Sequence, residues 1–196
     1  DKTYFYNVTS TDTLNNKNTT QTRVITLDTT FPQVTFISPQ NQSYVNSTIL
    51  LNISYSDENF NSIWYFNGSY NLTYTSSSLL TFPQGSTKLI AYANDSAGKL
   101  NSSSVTFFID SIPPSITISQ PQTDTTFGTN TSLALNFSAQ DSNLQSWWYN
   151  IDNTNNISLA NCANTTFNTS AGSHMLNVYA NDTLNNIATT SVNFSI

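Results

Sequence analysis

The stretch YANDTLNN, Tyr179–Asn186, decides how this chain is read, because the chain says nearly the same thing twice more. It recurs as YANDSAGKLN at Tyr92–Asn101 and in a looser form as TSTDTLNN at Thr9–Asn16. A phrase returning at a near-fixed interval marks one supersecondary unit used repeatedly. The equivalent acids are Asp12, Asp95 and Asp182, at steps of 83 and 87 residues.

Other landmarks keep the same step. FPQVTFISPQ (Phe31–Gln40) matches PPSITISQPQ (Pro113–Gln122), LNISYSD (Leu51–Asp57) matches LNFSAQD (Leu135–Asp141), and IWYFNG (Ile63–Gly68) matches WWYNID (Trp147–Asp152). Each repeat reads as short strands rich in β-branched and aromatic residues, broken by turn residues and without helical periodicity. TILLNISY places Ile49, Leu51, Ile53 and Tyr55 on one face, with Asn52 and Ser54 on the other. SLALNFSA does the same with Leu133, Leu135 and Phe137. Strands with one apolar face need a second sheet to cover it. The chain is therefore expected to be all-β, built of tandem Ig-like β-sandwich domains, since the step fits one such domain. Within each, the Tyr of the phrase belongs to a late strand, its Asn, Asp and Gly residues turn the chain, and SSVTFFID or TTSVNFSI returns as the last strand.

Boundaries follow from DTTFP (Asp28–Pro32) and DSIPP (Asp110–Pro114), where proline restricts the residues around it. The expected division is two complete domains, 29–110 and 111–196, preceded by residues 1–28 as the last two strands of a further domain. A lone hairpin is marginally stable in water. Those strands either belong to a longer protein, the reading preferred, or are completed by another subunit through β-augmentation.

Only 8% of the 196 residues are charged, against about 25% in a typical soluble protein, while 37% are hydrophobic, enough for real cores. Hydration must come from neutral Asn, Ser and Thr. The net charge of −6 reflects a shortage of bases, and with five Lys or Arg the basic footprint that nucleic acid requires is missing. No apolar run approaches the roughly 18 residues of a membrane span, and DKTYFYNVTS carries no signal-peptide pattern, so an export signal is expected outside this fragment. Cys162 is the only cysteine, which rules out a disulfide within the chain and reads as a small buried hydrophobe or inert thiol.

The linker DSIPPSITISQP, the strand WWYNIDN and the ending LNVYANDTLNN resemble the tandem Ig-like or fibronectin-like repeats of archaeal cell-surface glycoproteins, whether S-layer, adhesin or filament. The resemblance covers essentially the whole chain. It implies an extracellular, structural or adhesive setting and specifies a scaffold rather than a ligand. WYFNGSYNLTYT in the first complete domain departs from its counterpart in the second, so the middle strands are where the two are expected to differ.

Asn-x-Ser/Thr occurs at Asn7, Asn18, Asn41, Asn46, Asn52, Asn67, Asn71, Asn94, Asn101, Asn130, Asn136, Asn156, Asn164, Asn168, Asn181 and Asn193. In a strand, residues two apart share a face, so the Asn and Ser of Asn52, Asn136 and Asn193 point outward while the residue between points in. Dense covalent N-glycosylation is expected; the competing explanation is that polar residues merely fill solvent faces of a low-charge protein. Amides, hydroxyls and sugars keep their hydration in acid where carboxylates lose theirs, which suits an acid-tolerant surface coat.

Catalysis finds little support. His174 is the only histidine and Glu58 the only glutamate, so neither a zinc site, a nucleophile triad nor a convincing carboxylate pair can be assembled. Calcium is the one metal considered: Asp95, Asp182 and the linker acids Asp28 and Asp110 could meet at domain junctions. The plainer reading is that an Asp in such a turn caps its own backbone. For contacts, the candidates are Trp64, Trp147 and Trp148. Immunoglobulin analogy would bury the aligned Trp64 and Trp148, whereas the apolar set Trp147, Tyr149 and Ile151 argues for the opposite face.

The expected function is that of a non-enzymatic extracellular structural glycoprotein, the stalk of a surface protein or the repeating body of a filament. It would contact itself or other surface proteins through domain ends or edge strands. The alternative is an adhesin or carbohydrate-binding module using an outward tryptophan.

Overall fold

Alternating apolar and polar residues become strands throughout. The computed structural model describes residues 2–196, and among them there are twenty strands and no helix. The protein is all-β, with tandem Ig-like β-sandwiches. The chain forms two compact units, Asp1–Gln42 with Thr48–Phe108, and Ser43–Ser47 with Ile109–Ile196.

The first unit begins with a ribbon. β1 (Lys2–Tyr6) pairs antiparallel with β4 (Arg23–Leu27), and β2 (Thr9–Thr11) with β3 (Lys17–Thr19). All its strand residues are exposed, Phe5 at 71% and Val24 at 58%.

The first sandwich uses β5 (Gln33–Ser38), β6 (Ser43–Tyr44), β7 (Thr48–Ser56), β8 (Phe60–Phe66), β9 (Asn71–Thr73), β10 (Ser78–Thr81), β11 (Gly85–Asp95) and β12 (Leu100–Ile109). One sheet runs β10–β7–β5 and the other β6–β12–β11–β8–β9. Ile49, Leu51 and Ile53 of β7 are buried with Leu89, Ala91 and Ala93 of β11, Ile63 and Tyr65 of β8, and Phe107 of β12. Burying each such aliphatic side chain contributes about 1.5–3 kcal/mol. Phe82 meets Phe107 edge-on at 5.0 Å.

The second sandwich repeats the plan with β13 (Ser115–Gln120), β14 (Thr125–Thr126), β15 (Leu133–Gln140), β16 (Leu144–Ile151), β17 (Ile157–Leu159), β18 (Thr165–Phe167), β19 (Ser173–Asp182) and β20 (Ile187–Ser195). Its sheets run β13–β15–β18 and β14–β20–β19–β16–β17. Leu133, Leu135, Phe137, Tyr149, Phe167, Leu176, Val178, Val192 and Phe194 form the core.

The tryptophan faces are resolved by register. Ile63 and Tyr65 are buried, so Trp64 between them faces away from the core and stacks on its cross-strand partner Tyr92, centroids 5.6 Å apart. Trp148 likewise lies on Tyr179 at 5.5 Å, with the rings 3° from parallel. Trp147 packs against the core instead. Immunoglobulin analogy therefore misplaces Trp64 and Trp148; the apolar partners at 63, 65, 147, 149 and 151 set the face.

Candidate functional site

The recurrent phrase closes each late strand in a five-residue turn that begins with aspartate. The first residue's N–H donates to the fifth residue's carbonyl, from Asp12 to Asn16 at 3.0 Å, Asp95 to Lys99 at 3.1 Å and Asp182 to Asn186 at 3.3 Å. The fourth residue is left-handed: Asn15 at φ 67°, Gly98 at 84° and Asn185 at 69°, residue types that tolerate this region. In all three turns aspartate Oδ1 accepts the fifth N–H, from Asn16 at 2.9 Å, Lys99 at 2.8 Å and Asn186 at 2.9 Å. The capping reading of these acids is thus correct, but it occupies only one oxygen of each.

Asp95 and Asp182 also lie among further acids. One carboxylate oxygen from each of Asp28, Asp57 and Asp95 lies within 4.8 Å of the others in the first unit, and Asp110, Asp141 and Asp182 repeat this in the second. The four acids singled out from sequence therefore sort as Asp28 with Asp95 and Asp110 with Asp182. Asp57 and Asp141, which complete the clusters, were not anticipated. Their signal was present, because LNISYSD and LNFSAQD both end on that acid just beyond the strand.

One asparagine braces each cluster. Asn59 donates Nδ2 to Asp28 Oδ2 at 3.0 Å and its N–H to Asp57 Oδ1 at 2.7 Å. Asn143 does the same to Asp110 Oδ2 at 2.8 Å and Asp141 Oδ1 at 2.7 Å. Two unit charges 4.8 Å apart repel by roughly 3 kcal/mol at an effective dielectric of about 20. Among the described residues no lysine or arginine forms an ion pair with either cluster. Lys99, the nearest in sequence, holds its Nζ 5.0 Å above the Phe31 ring.

The two clusters differ at one atom. In the second, Asn186 Nδ2 donates to Asp182 Oδ2 at 2.7 Å and to the Asp110 carbonyl at 2.9 Å. In the ribbon, Asn16 Nδ2 likewise donates to Asp12 Oδ2 at 2.8 Å. Lys99 offers no amide there, and Asp95 Oδ2 is buried without a hydrogen-bond partner in a residue only 1% exposed. An open cleft of about 480 Å³, lined by Thr30, Phe31, Gln33, Ser56, Asp57 and Glu58, reaches the first cluster at Asp57.

His174 is buried at the opposite end of β19. Nδ1 lies 2.7 Å from Asp152 Oδ2 and Nε2 lies 3.0 Å from the Ser170 carbonyl. Both partners only accept, so the site suits the imidazolium form, which donates from both nitrogens. The bond to Asp152 raises the His174 pKa above its usual 6.5 against the opposing effect of burial. Burial would raise the Asp152 carboxyl, yet its bonds from His174 and the Met175 N–H hold it below 3.8. The pair clamps the start of β19, with Thr169 Oγ1 3.4 Å from both ring nitrogens and an open cleft of about 530 Å³, lined also by Asp124, Ser173 and Ser195, beside it. Cys162 packs half-buried against the core cluster.

The sequons fall into two groups. Asn7, Asn18, Asn41, Asn46, Asn71, Asn130, Asn156, Asn164, Asn168 and Asn193 are exposed, and Asn52, Asn67, Asn94, Asn101 and Asn136 half-buried. Asn181 is buried: Oδ1 accepts the N–H and hydroxyl of Ser146, and Nδ2 donates to Gln145 Oε1 and Asn185 Oδ1. Asn94, its counterpart, accepts the Ser62 hydroxyl at 2.5 Å. These two asparagines tie adjacent strands together.

No family model matches the chain, and no curated protein is similar to it. Among solved structures it is similar to the fibronectin(III)-like modules of Clostridium thermocellum CbhA, at 18% identity and a TM-score of 0.40 over 84% of this chain and 94% of that one. It is similar also to the N-terminal four Ig domains of Dscam1 isoform 9.44, at 13% identity and a TM-score of 0.45 over 89% of this chain and 50% of that one. This chain thus spans about half the length of that Dscam1 structure. A chimeric titin Z1Z2-Z1Z2 tandem gives 12% identity and a TM-score of 0.35 over 83% of this chain and 98% of that one. Likeness at such identities concerns the fold alone.

Proposed function

We propose that this chain is a non-enzymatic structural segment of an extracellular glycoprotein, the stalk of a surface protein or the repeating subunit of a surface filament. The observation that carries the reading is repetition: strand alternation, aspartate turn and acid cluster recur from one sandwich to the next. Successive copies of one module suit a scaffold, and the neutral Asn, Ser and Thr of its exposed surface suit a sugar-bearing coat. Partners would be further copies or other surface proteins, met at domain ends or edge strands. No catalytic role is assigned on this reading, in which His174 serves to hold Asp152 and the Ser170 carbonyl.

Antibodies raised against the chain should label intact cells of the source organism along fibres or stalks. Label confined to the cell interior would overturn the proposal.

A second reading rests on the outer face of the second sandwich, where the Trp148–Tyr179 stack adjoins the amides of Asn150 and Asn177, themselves bonded at 2.9 Å. Asn150 and Asn177 are buried and bonded within the sheet, so the flat aromatic surface of Trp148 and Tyr179 is what would meet a sugar ring. On this reading the chain is an adhesin or carbohydrate-binding module, and Trp148→Ala should abolish binding to a glycan array.

A further inference from the structure

We propose that Asp28, Asp57 and Asp95 form a binding site for a hard divalent cation of the calcium class, and that Lys99 is the residue that keeps the site open. Three observations converge. Carboxylate oxygens of the three acids lie within 4.8 Å of one another, the span across which a single calcium ion, with its ligand distance of about 2.4 Å, touches both ends. Asp95 Oδ2 is buried and unpartnered although its carboxylate belongs to this cluster, a costly state for an anionic oxygen. No cationic side chain pairs with the cluster among the described residues, and its donors are all oxygen, with no nitrogen or sulfur ligand to favour a softer metal. Waters entering by the cleft at Asp57 would complete the coordination sphere.

The second cluster supplies the internal comparison. Asp110, Asp141 and Asp182 have the same arrangement, but the Asn186 amide already occupies Asp182 Oδ2 at 2.7 Å and also holds the Asp110 carbonyl. That amide performs from within the chain the task that the cation performs at Asp95. The first cluster is therefore the tighter cation site, and residue 99 or 186, the fifth of the turn, selects between an ion and an amide. Binding joins Asp28, which follows the ribbon, to the turns at Asp57 and Asp95. The inference stands independently of the scaffold reading above.

The test is calorimetric titration of calcium chloride into the full 196-residue chain after stripping with chelator, with magnesium chloride as competitor. The wild type should show one tight site per chain. Lys99→Asn, which installs the residue both sister turns carry, should weaken that site at least tenfold, as should Asp57→Asn. Asn186→Lys should create a second site of comparable affinity, with circular dichroism confirming that each variant keeps its β spectrum. An absence of heat at millimolar calcium, equal affinity in wild type and Lys99→Asn, or magnesium binding as tightly as calcium would each overturn the proposal.

Discussion

Lys99 occupies in the first sandwich the turn position that Asn186 occupies in the second, and the exchange leaves Asp95 Oδ2 without the amide that Asp182 Oδ2 receives at 2.7 Å. The consequence is measurable without any metal. Giving a buried acceptor its donor is worth about 1–2 kcal/mol, while the contact of Lys99 with the Phe31 ring, which the substitution removes, is worth about 0.5–1 kcal/mol. In chelator, Lys99→Asn should therefore raise the unfolding free energy by up to about 1.5 kcal/mol, read from urea curves. A loss of stability would show that the orphaned oxygen costs the fold less than the ring contact of Lys99 contributes.

The clamp between His174 and Asp152 sets a pH window. The His174 pKa is raised from 6.5, so its contribution is complete below that value and disappears as pH rises through the folded-state pKa. The Asp152 pKa is lowered from 3.8, so its contribution is complete above that value and disappears as pH falls through the folded-state pKa. The clamp is fully formed between those limits. His174→Gln should lower the urea midpoint most at about pH 4–6.5, with the deficit shrinking as pH rises through the raised His174 pKa. A deficit independent of pH would mean that His174 acts by packing alone.

Tyr74 tests how far one buried hydroxyl supports a strand. Its oxygen accepts the Ile53 N–H at 3.1 Å beneath β7, and in the second sandwich Asn164 Oδ1 accepts the Phe137 N–H at the same distance. Tyr74→Phe keeps the ring but orphans a buried donor, at a cost of about 1–3 kcal/mol. Urea unfolding of that variant and of Asn164→Ala checks the pairing, and an unchanged Tyr74→Phe would refute it.

Trp147 and Trp148 should differ in how much of the fold each supports. Trp147 packs on the core but buries its Nε1–H without a partner, so Trp147→Phe removes an unsatisfied donor along with some contact area. It should change stability by less than about 1.5 kcal/mol, against about 3 kcal/mol or more for Trp147→Ala. Trp148→Ala forfeits its stack on Tyr179, worth about 0.5–1.5 kcal/mol beyond the buried area. Thermal unfolding of the three variants ranks these effects.

Much of this was legible in sequence because strand alternation is a local property. Ile49, Leu51 and Ile53, and Leu133, Leu135 and Phe137, are buried as their spacing required. Tyr55 broke the pattern: it shares their face but lies near the strand end, 41% exposed and packed at a tilt against Phe60. The aspartate turns were legible through their repetition. The completed acid clusters were not, since Asp28, Asp57 and Asp95 come from three separated stretches that only sheet pairing brings together. Asn181 illustrates the same limit, because a sequon is defined by three consecutive residues while its burial depends on Ser146 and Gln145 of another strand.

The most direct test of the central claim, a sugar-coated scaffold of repeated sandwiches, is glycopeptide mapping of the chain from its native source. Sugars are expected on several of the exposed sites Asn7, Asn18, Asn41, Asn46, Asn71, Asn130, Asn156, Asn164, Asn168 and Asn193, with Asn181 bare because its amide is spent inside the sheet. Unmodified peptides at all ten exposed sites, or a sugar on Asn181 in folded protein, would contradict it.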